Sequence, residues 1–183
     1  GATQEESAGG STDGDAGDAD RHGNTASRGG NRDAAPSGEE ESAEGETPEG
    51  ESAEEADEAE NDVLDKLYEF AEAYLGTPYR YGGTGKDGID CSALTQLAMQ
   101  ALGYDIPRRS ADQATVGIPV ERDELKAGDL VFFNTSGSGI SHVAIYLEDN
   151  LLLNASVSKG VTYTSLLENY WDKRYHSARR IIG

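Results

Sequence analysis

Apolar residues recur at helical spacing in the stretch that follows residue 60. The stripe begins after the N-cap candidates Asn61 and Asp62, and its members are Leu64, Leu67, Tyr68, Ala71 and Leu75. Residues three and four positions apart share one side of an α-helix, so this spacing predicts a helix that is buried on one face. Gly76 and Pro78 end it, because glycine suits the left-handed conformation at a helix end and proline cannot continue the helix. We therefore expect folded structure to begin near residue 61.

A second helix is predicted to begin at Cys91, the only cysteine of the chain. Its apolar stripe has the same spacing and consists of Leu94, Leu97, Ala98, Ala101 and Leu102. Gly103 ends this helix, and a glycine-rich loop at 79–90 precedes it. Further along, Ser110 is followed three residues later by Gln113, which predicts a capping box at the start of a short helix.

The remaining apolar residues form short runs separated by turn residues, a pattern typical of strands. The predicted strands are 130–133, 142–147, 151–155, 161–164 and 176–182, with a short helix at 166–171. The turn at 148–150 joins the second and third strands into a hairpin. Because helices come first and strands later, the order predicts an α+β fold with a mostly antiparallel sheet.

Composition divides the chain near residue 60. Residues 1–60 contain 19 acidic and 3 basic side chains, a net charge of −16, and residues 61–183 contain 16 and 12, a net charge of −4. The first segment has no aromatic residue and no Leu, Ile or Val, so it cannot bury enough apolar surface to offset chain entropy. We predict a disordered acidic tether at 1–60 and one folded domain at 61–183. The charge of this tether repels nucleic acid and anionic lipid headgroups, which argues against nucleic-acid binding.

Cys91 is the strongest candidate for a catalytic residue. A cysteine in the first turn of a helix lies among free backbone N–H groups at the positive end of the helix dipole, which favours the reactive thiolate. A lone cysteine is more commonly just a small buried apolar side chain. The polar neighbours Asp90 and Ser92 are unusual for a core position, however. We therefore predict a nucleophile whose pKa is lowered.

A cysteine nucleophile needs a base, and only two histidines lie in the predicted domain. His142 begins a predicted strand directly after the loop 136–141, where a side chain can reach a neighbouring helix terminus. His176 lies in the last strand beside Tyr175. We predict that His142 is the base and that His176 is a surface or packing residue.

Hairpin geometry indicates a third polar group, Asn154. If Leu147 pairs with Leu151, residue 144 lies opposite residue 154, and Asn154 shares the face of His142. Asn154 also follows three leucines, where a buried amide is costly unless it is hydrogen-bonded. We predict that its amide orients the imidazole. A strand-end asparagine outside the catalytic group is the alternative, because the register depends on the turn type.

Other chemistries find less support in the sequence. Residues 61–183 contain no HExxH pattern, no cysteine pair and no acidic cluster at metal-ligand spacing, so we expect no metal and no cofactor. The segment 82–86, GGTGK, lacks the spacing of a phosphate-binding loop. We interpret its glycines as turn formers that bring Tyr79 and Asp90 toward Cys91. Arg108 can pair with a substrate carboxylate, although an ordinary surface role fits the sequence equally well.

Four segments, taken in order, resemble the NlpC family of papain-like bacterial cell-wall peptidases. They are the loop 76–88 with DCS at 90–92, PR at 107–108 with Gln113, AGDLVFF at 127–133 and SHVAIY at 141–146. The similarity covers residues 62 to 182, and residues 1–60 have no counterpart. This ordered set is far more specific than any single motif.

The resemblance implies a papain-like core and a cysteine peptidase that cleaves peptidoglycan stem peptides, commonly at the γ-D-glutamyl to diaminopimelate bond. Cys91 matches the family nucleophile and His142 its base. Asn154 falls where the family places its third polar residue, which is most often histidine. Ala93 stands where the family usually has glycine, a change that narrows one side of the cleft.

The resemblance also implies roles for residues around the nucleophile. Tyr79 matches a tyrosine whose hydroxyl can help to bind the oxyanion, and Asp90 and Ser92 match positions that can contact a substrate amine. Two alternatives remain open. One is a wall-binding module that does not hydrolyse its ligand because Asn154 replaces histidine. The other is a thiol-dependent acyl or amide transferase.

Many members of this family are secreted or lipid-anchored, so we expect a protein that is secreted or attached to the cell envelope. We also expect it to be a monomer. Its first residues, GATQEES, resemble those of a mature or trimmed chain, so a signal or lipid anchor is expected outside this sequence. Any membrane attachment is expected through that anchor, because no apolar run approaches the ~20 residues needed to cross a bilayer.

Overall fold

Helices occupy the first part of the folded chain and strands most of the second part. The computed structural model describes residues 52–183. Its helices are α1 (Ala53–Tyr74), α2 (Cys91–Ala101), α3 (Ser110–Gln113) and α4 (Asn169–Asp172), and a 3-10 turn spans Arg122–Glu124. Its strands are β1 (Thr84–Gly85), β2 (Gly88–Ile89), β3 (Ile118–Val120), β4 (Leu130–Phe133), β5 (His142–Tyr146), β6 (Leu151–Ser156), β7 (Gly160–Ser165) and β8 (Tyr175–Arg180). The predicted α+β fold is confirmed.

Six strands form one antiparallel sheet in the order β3-β8-β4-β5-β6-β7, and β1 pairs with β2 in a separate small hairpin. Both faces of the large sheet are buried at β4. Leu130 and Phe132 pack into the cluster that contains the buried residues of α1 and α2, whereas Val131 and Phe133 pack with Trp171 on the opposite face. A strand covered on both faces has no polar alternation, which is why LVFF is a continuous apolar run.

The first helix begins earlier than its apolar stripe predicts. Ser52 is the N-cap: its Oγ accepts a hydrogen bond from the Glu55 N–H at 3.4 Å, and the Glu55 carboxylate accepts the Ser52 N–H at 3.2 Å. This capping box starts the helix at Ala53, so the predicted start at residue 61 is wrong. Ala and Glu extend the helix without an apolar stripe because both are strong helix formers. The rest of the predicted tether, 1–51, lies outside the described residues.

Deletion of residues 1–51 is expected to leave the melting temperature of the domain unchanged, because that segment has no apolar side chains that could form a core. Deletion of residues 1–60 should lower it by roughly 2–8 °C, since loss of a helix cap costs about 1 kcal/mol. The longer deletion also removes Glu60, which accepts the Ala127 N–H at 3.4 Å and lies 3.6 Å from the Lys126 ammonium. Calorimetry of both deletions checks this. A large loss of stability in the shorter deletion would show that 1–51 contributes to the folded domain.

The predicted capping box of α3 is wrong. Ser110 is the first residue of that helix, and the N-cap is Arg109. Gln113 is buried and faces α2, where its Nε2 donates to the carbonyls of Ser92 at 3.0 Å and Pro107 at 2.8 Å. The side chain expected to cap its own helix therefore fixes the start of α2 against the following loop.

The edges of the sheet differ from the sequence prediction. β3 was not predicted, because it is a three-residue strand with Pro119 at its centre. Proline is tolerated in an edge strand, and β3 pairs only with β8. The short helix predicted at 166–171 begins at Asn169, and the last strand begins one residue earlier than predicted.

None of the helices in residues 52–183 is both long and apolar enough to span a membrane.

Candidate active site

The loop before α2 places Cys91 at the first position of that helix. Asp90 is the N-cap, and its carboxylate accepts the N–H groups of Ala93 at 2.8 Å and Gly82 at 3.0 Å. A Cβ atom on Gly83 would lie 2.3 Å from the Gly88 carbonyl oxygen, so the loop closes tightly enough that only glycine fits there. The interpretation as turn formers is confirmed for Gly82, whose φ is +73°, and for Gly83, whereas Gly85 lies in the short strand β1.

Helix α2, which begins at Cys91, packs against β5, which begins at His142. Both side chains are 7% exposed. The backbone N–H of Val143, the residue after His142, donates a hydrogen bond to the Cys91 sulfur. The sulfur of the predicted nucleophile therefore lies next to the residue that follows the predicted base, and their pairing in catalysis stays a prediction.

Asn154 is fully buried and contacts the imidazole directly. Its Oδ1 lies 2.7 Å from His142 Nε2, and its Nδ2 donates to Thr164 Oγ1 at 3.4 Å. An amide oxygen can only accept, so Nε2 carries the proton of the neutral ring and Nδ1 is left free to take another. This is the tautomer that a base for Cys91 requires.

The hairpin register that led to Asn154 is confirmed. Ile145 pairs with Leu153 and Tyr146 with Leu152, and the Leu147 N–H donates to the Leu151 carbonyl at 2.9 Å. Continued by one residue, this register sets 144 opposite 154. The catalytic role of Asn154 stays a prediction.

Two aromatic rings pack around the base. The centroid of the Trp171 indole lies 4.9 Å from that of the His142 imidazole, with 31° between the planes, and Phe133 lies 6.0 Å away. Trp171 was not among the predicted site residues. The signal available was that it is the only tryptophan of the chain and lies in a short helix. Its ring packs against the imidazole.

Burial governs the charge state of the pair. Burial raises the pKa of the Cys91 thiol, although N–H groups of Val143, Ser92 and Cys91 itself oppose this. Burial likewise lowers the pKa of His142, and its hydrogen bond to Asn154 opposes the change only in part. The lowered thiol pKa expected at a helix N-terminus is therefore wrong: burial outweighs the surrounding N–H groups and raises the pKa of the Cys91 thiol.

Tyr79 lines a cleft of about 480 Å³ together with Cys91, Ser92 and Arg108. A parallel bridge between Tyr79 and Ile89 holds its backbone beside the start of α2. Burial raises the pKa of the Tyr79 phenol, and the negative charges that Cys91 and Asp90 can carry raise it further. The hydroxyl therefore keeps its proton and can donate a hydrogen bond into the cleft.

Asp90, Ser92 and Arg108 form one hydrogen-bonded group at the wall of this cleft. The guanidinium of Arg108 donates to both carboxylate oxygens of Asp90, at 2.9 and 2.6 Å, and to Ser92 Oγ at 2.7 Å. Burial alone would raise the pKa of Asp90, but hydrogen bonds from Arg108 and the Ala93 N–H hold it below its usual range. A substrate amine would therefore meet a carboxylate that is already paired.

The second histidine of the domain, His176, is exposed, as predicted.

The site residues lie inside a region that matches known proteins. A family model described as "NlpC/P60 family" matches residues 76–180. The "Probable endopeptidase NlpC" of Escherichia coli (strain K12) is 43% identical over 121 residues, which cover 65% of this chain and 79% of that protein. The "Murein DD-endopeptidase MepS/Murein LD-carboxypeptidase" of the same strain is 39% identical over 133 residues, which cover 69% and 70%.

The fold is similar to that of a solved structure. The crystal structure of an NlpC/P60 family protein from Bacillus cereus ATCC 10987 superposes with a TM-score of 0.60 and 32% sequence identity. The match covers 64% of this chain and 39% of that one. The chain thus spans most of the two Escherichia coli relatives but well under half of the solved protein.

Proposed function

The chain belongs to the NlpC/P60 family, and from this membership we propose that it is a cysteine endopeptidase that hydrolyses the stem peptides of peptidoglycan. The names of the relatives support the substrate, since one is a murein endopeptidase and another a "Gamma-DL-glutamyl hydrolase" from Bacillus subtilis (strain 168). The observation that carries the proposal is the buried contact of His142 Nε2 with Asn154, beside a cysteine at a helix N-terminus.

The first chemical step is attack by Cys91 on the scissile carbonyl. His142 Nδ1 takes the thiol proton as the sulfur bonds to the carbonyl carbon, so no charged pair needs to exist beforehand. The oxygen of the tetrahedral intermediate is stabilised by the Cys91 N–H and the Tyr79 hydroxyl. The imidazolium then gives its proton to the leaving amine, the C–N bond breaks, and a thioester remains on Cys91.

The second step is hydrolysis of that thioester. A water molecule loses a proton to His142 Nδ1 and attacks the thioester carbonyl. The C–S bond then breaks, the sulfur regains a proton, and the acyl product leaves as a carboxylic acid. Asn154 holds the ring in one tautomer through both steps, and Trp171 holds its plane. Asp90 and Arg108 shape the wall of the cleft that receives the acyl part.

We propose that the bond hydrolysed is the γ-D-glutamyl to diaminopimelate bond. The protein would act outside the cytoplasm, secreted or attached to the cell envelope, because its substrate is there. The acidic residues of 1–51 would then serve as a tether, whose length matters more for cleavage of whole sacculi than for cleavage of small peptides.

Product analysis tests the proposed function. The purified protein is incubated with diaminopimelate-type sacculi, and the released fragments are identified by mass spectrometry. The proposed peptidase releases peptides with a new free amine on diaminopimelate. A wall-binding module releases nothing, and a transferase releases fragments only when an acceptor amine is supplied. Either of those results would contradict the proposal.

The pH profile of hydrolysis should show an acid limb below the ordinary histidine value of 6.5. Burial lowers the pKa of His142, so the ring stays neutral, and able to accept a proton, to a lower pH. Asn154→Asp places a carboxylate against Nε2, which favours imidazolium and moves the acid limb to higher pH. Measuring kcat/KM against pH for the wild-type protein and Asn154→Asp shows in which direction the acid limb moves. A wild-type limb above 6.5, or an unmoved limb in Asn154→Asp, would contradict this account.

A further inference from the structure

Gln113 is a fully buried amide whose side-chain hydrogen bonds all go to residues outside its own helix. Its Nε2 donates to the carbonyl oxygens of Ser92 at 3.0 Å and Pro107 at 2.8 Å, and its Oε1 accepts the Thr95 hydroxyl at 2.8 Å. Both of its N–H groups and its carbonyl oxygen are therefore paired. Any shift of this amide would leave a buried donor or acceptor without a partner, so the side chain has one favoured position.

The two carbonyls that Gln113 holds belong to the two segments that meet in the wall of the Cys91 cleft. Pro107 is the residue before Arg108, whose guanidinium donates to Ser92 Oγ at 2.7 Å. Ser92 is therefore held twice, through its carbonyl by Gln113 and through its hydroxyl by Arg108. One buried amide thus links the backbone that carries the guanidinium to the helix turn that accepts its hydrogen bonds.

The two charged groups of this wall are held in different ways. The Asp90 carboxylate accepts the N–H groups of Ala93 at 2.8 Å and Gly82 at 3.0 Å, which fix it at the start of α2. The Arg108 side chain is 34% exposed and follows Pro107 in a segment that is neither helix nor strand. A guanidinium on a long side chain has many rotamers, so its contact with a fixed carboxylate depends on where its backbone is held.

We propose that Gln113 is a positioning residue that sets the Arg108 guanidinium against Asp90. Through this ion pair it controls how tightly the Cys91 cleft binds the acyl part of the substrate. Gln113 is fully buried and does not line the cleft, so it acts without touching the substrate. Its effect on substrate binding rests on the proposed function, whereas its effect on the ion pair does not.

The pKa of Asp90, measured by NMR titration of its carboxyl carbon without any ligand, tests the positioning directly. Burial raises this pKa, and the hydrogen bond from Arg108 contributes to holding it below its usual range. Gln113→Met has nearly the same length but makes no hydrogen bond, so we expect the guanidinium to shift and the pKa of Asp90 to rise. Tyr79 and Cys91, the other titratable groups close to Asp90, are kept in this variant.

Gln96→Met is the matched control for this substitution. Gln96 Nε2 donates to the Ile106 carbonyl at 2.8 Å, so the variant removes a hydrogen bond of the same kind from the same loop. It leaves the bonds of Gln113 in place, and we expect the pKa of Asp90 to stay unchanged. An equal rise in the control and in Gln113→Met would overturn the inference, because any loosening of the loop would then have the same effect.

Thermal melting shows whether Gln113→Met folds, and Thr95→Val is a milder test of the same link. It removes the hydroxyl that donates to Gln113 Oε1 and keeps both carbonyl partners of Nε2. We expect the pKa of Asp90 to rise in Thr95→Val by less than in Gln113→Met. If Gln113→Met does not fold, an unchanged Asp90 pKa in Thr95→Val overturns the inference.

Steady-state kinetics on L-Ala-γ-D-Glu-diaminopimelate test the consequence for binding. We expect Gln113→Met to raise KM about five- to tenfold and to change kcat less than about twofold, because the amide does not touch the reacting atoms. Arg108→Met should raise KM at least as much. Adding Gln113→Met to Arg108→Met should raise KM no further, because Gln113 acts through the guanidinium. Two effects that multiply in the double variant would overturn the inference.

The outcomes separate this inference from the proposed function. If the pKa of Asp90 rises in Gln113→Met and not in Gln96→Met, while the wild-type protein cleaves no stem peptide, the proposed function fails and the positioning of the ion pair stands. If the wild-type protein cleaves the peptide, while Gln113→Met changes neither the pKa of Asp90 nor KM, the function stands and the inference is overturned.

Discussion

Replacement of Cys91 by alanine is expected to abolish hydrolysis of peptidoglycan peptides while the domain stays folded. The thiol is the atom that bonds to the substrate, and its loss in an assembled catalytic group costs about 10⁴-fold or more in kcat. The side chain is small and lies at the first turn of α2, so its removal leaves only a small cavity. Steady-state kinetics on a defined stem peptide, with thermal melting as the test of folding, measure both effects.

Cys91→Ser is the matched control for this prediction. It keeps the size of the side chain and a proton that His142 can accept, but the alcohol is a much weaker nucleophile than a thiol. It should melt near the wild-type temperature and be inactive within the detection limit. Turnover retained in Cys91→Ala would end the covalent mechanism, because no thioester could then form.

Replacement of Asn154 by alanine should lower kcat by about ten- to a thousandfold and change KM little. Its amide oxygen lies 2.7 Å from His142 Nε2 and accepts the proton on that nitrogen, and without it the ring can turn or change tautomer. The variant also leaves a buried N–H without its acceptor, which costs about 1–3 kcal/mol of folding stability. Asn154→His can accept the same hydrogen bond through a ring nitrogen and should keep substantial activity.

Thr164→Val provides the control for this second prediction. Thr164 Oγ1 accepts the other hydrogen bond of the Asn154 amide, at 3.4 Å, and does not touch the imidazole contact. We expect a smaller loss of kcat than in Asn154→Ala, which separates orientation of the ring from general loosening of β6 and β7. If Asn154→Ala cleaves at the wild-type rate, the third member of the catalytic group must lie elsewhere near His142.

The features that sequence predicts well are those encoded within one or two adjacent elements. The hairpin of β5 and β6 is an example, since the apolar runs and the short turn between them are enough to predict its register, in which Ile145 pairs with Leu153 and Tyr146 with Leu152. Asn154 could be found in this way because an amide next to a run of leucines is costly to bury unless a neighbouring side chain hydrogen-bonds to it. The position of Cys91 at the start of α2 was also predictable from neighbouring residues, because a glycine-rich loop precedes it and an apolar stripe at helical spacing follows it.

The features that sequence misses depend on contacts between distant parts of the chain. Gln113 has the spacing of a capping residue, yet it hydrogen-bonds to Ser92, because packing of the loop against α2 outweighs the local motif. Trp171 lies 29 positions beyond His142 in the chain, and only the folded sheet brings the two rings together. The pKa of Cys91 follows the same rule: the helix N-terminus favours thiolate, but burial of the thiol in the folded domain, a tertiary effect, outweighs it and raises the pKa.

Partitioning of the acyl-enzyme tests the central claim most directly, because a thioester on Cys91 must react with added hydroxylamine as well as with water. The protein is incubated with a stem peptide at rising hydroxylamine concentration, and the acyl products are resolved by mass spectrometry. The account predicts a hydroxamate of the γ-D-glutamyl fragment that grows at the expense of the free acid, and none with Cys91→Ala. Peptide release that yields only the free acid at every hydroxylamine concentration would contradict it.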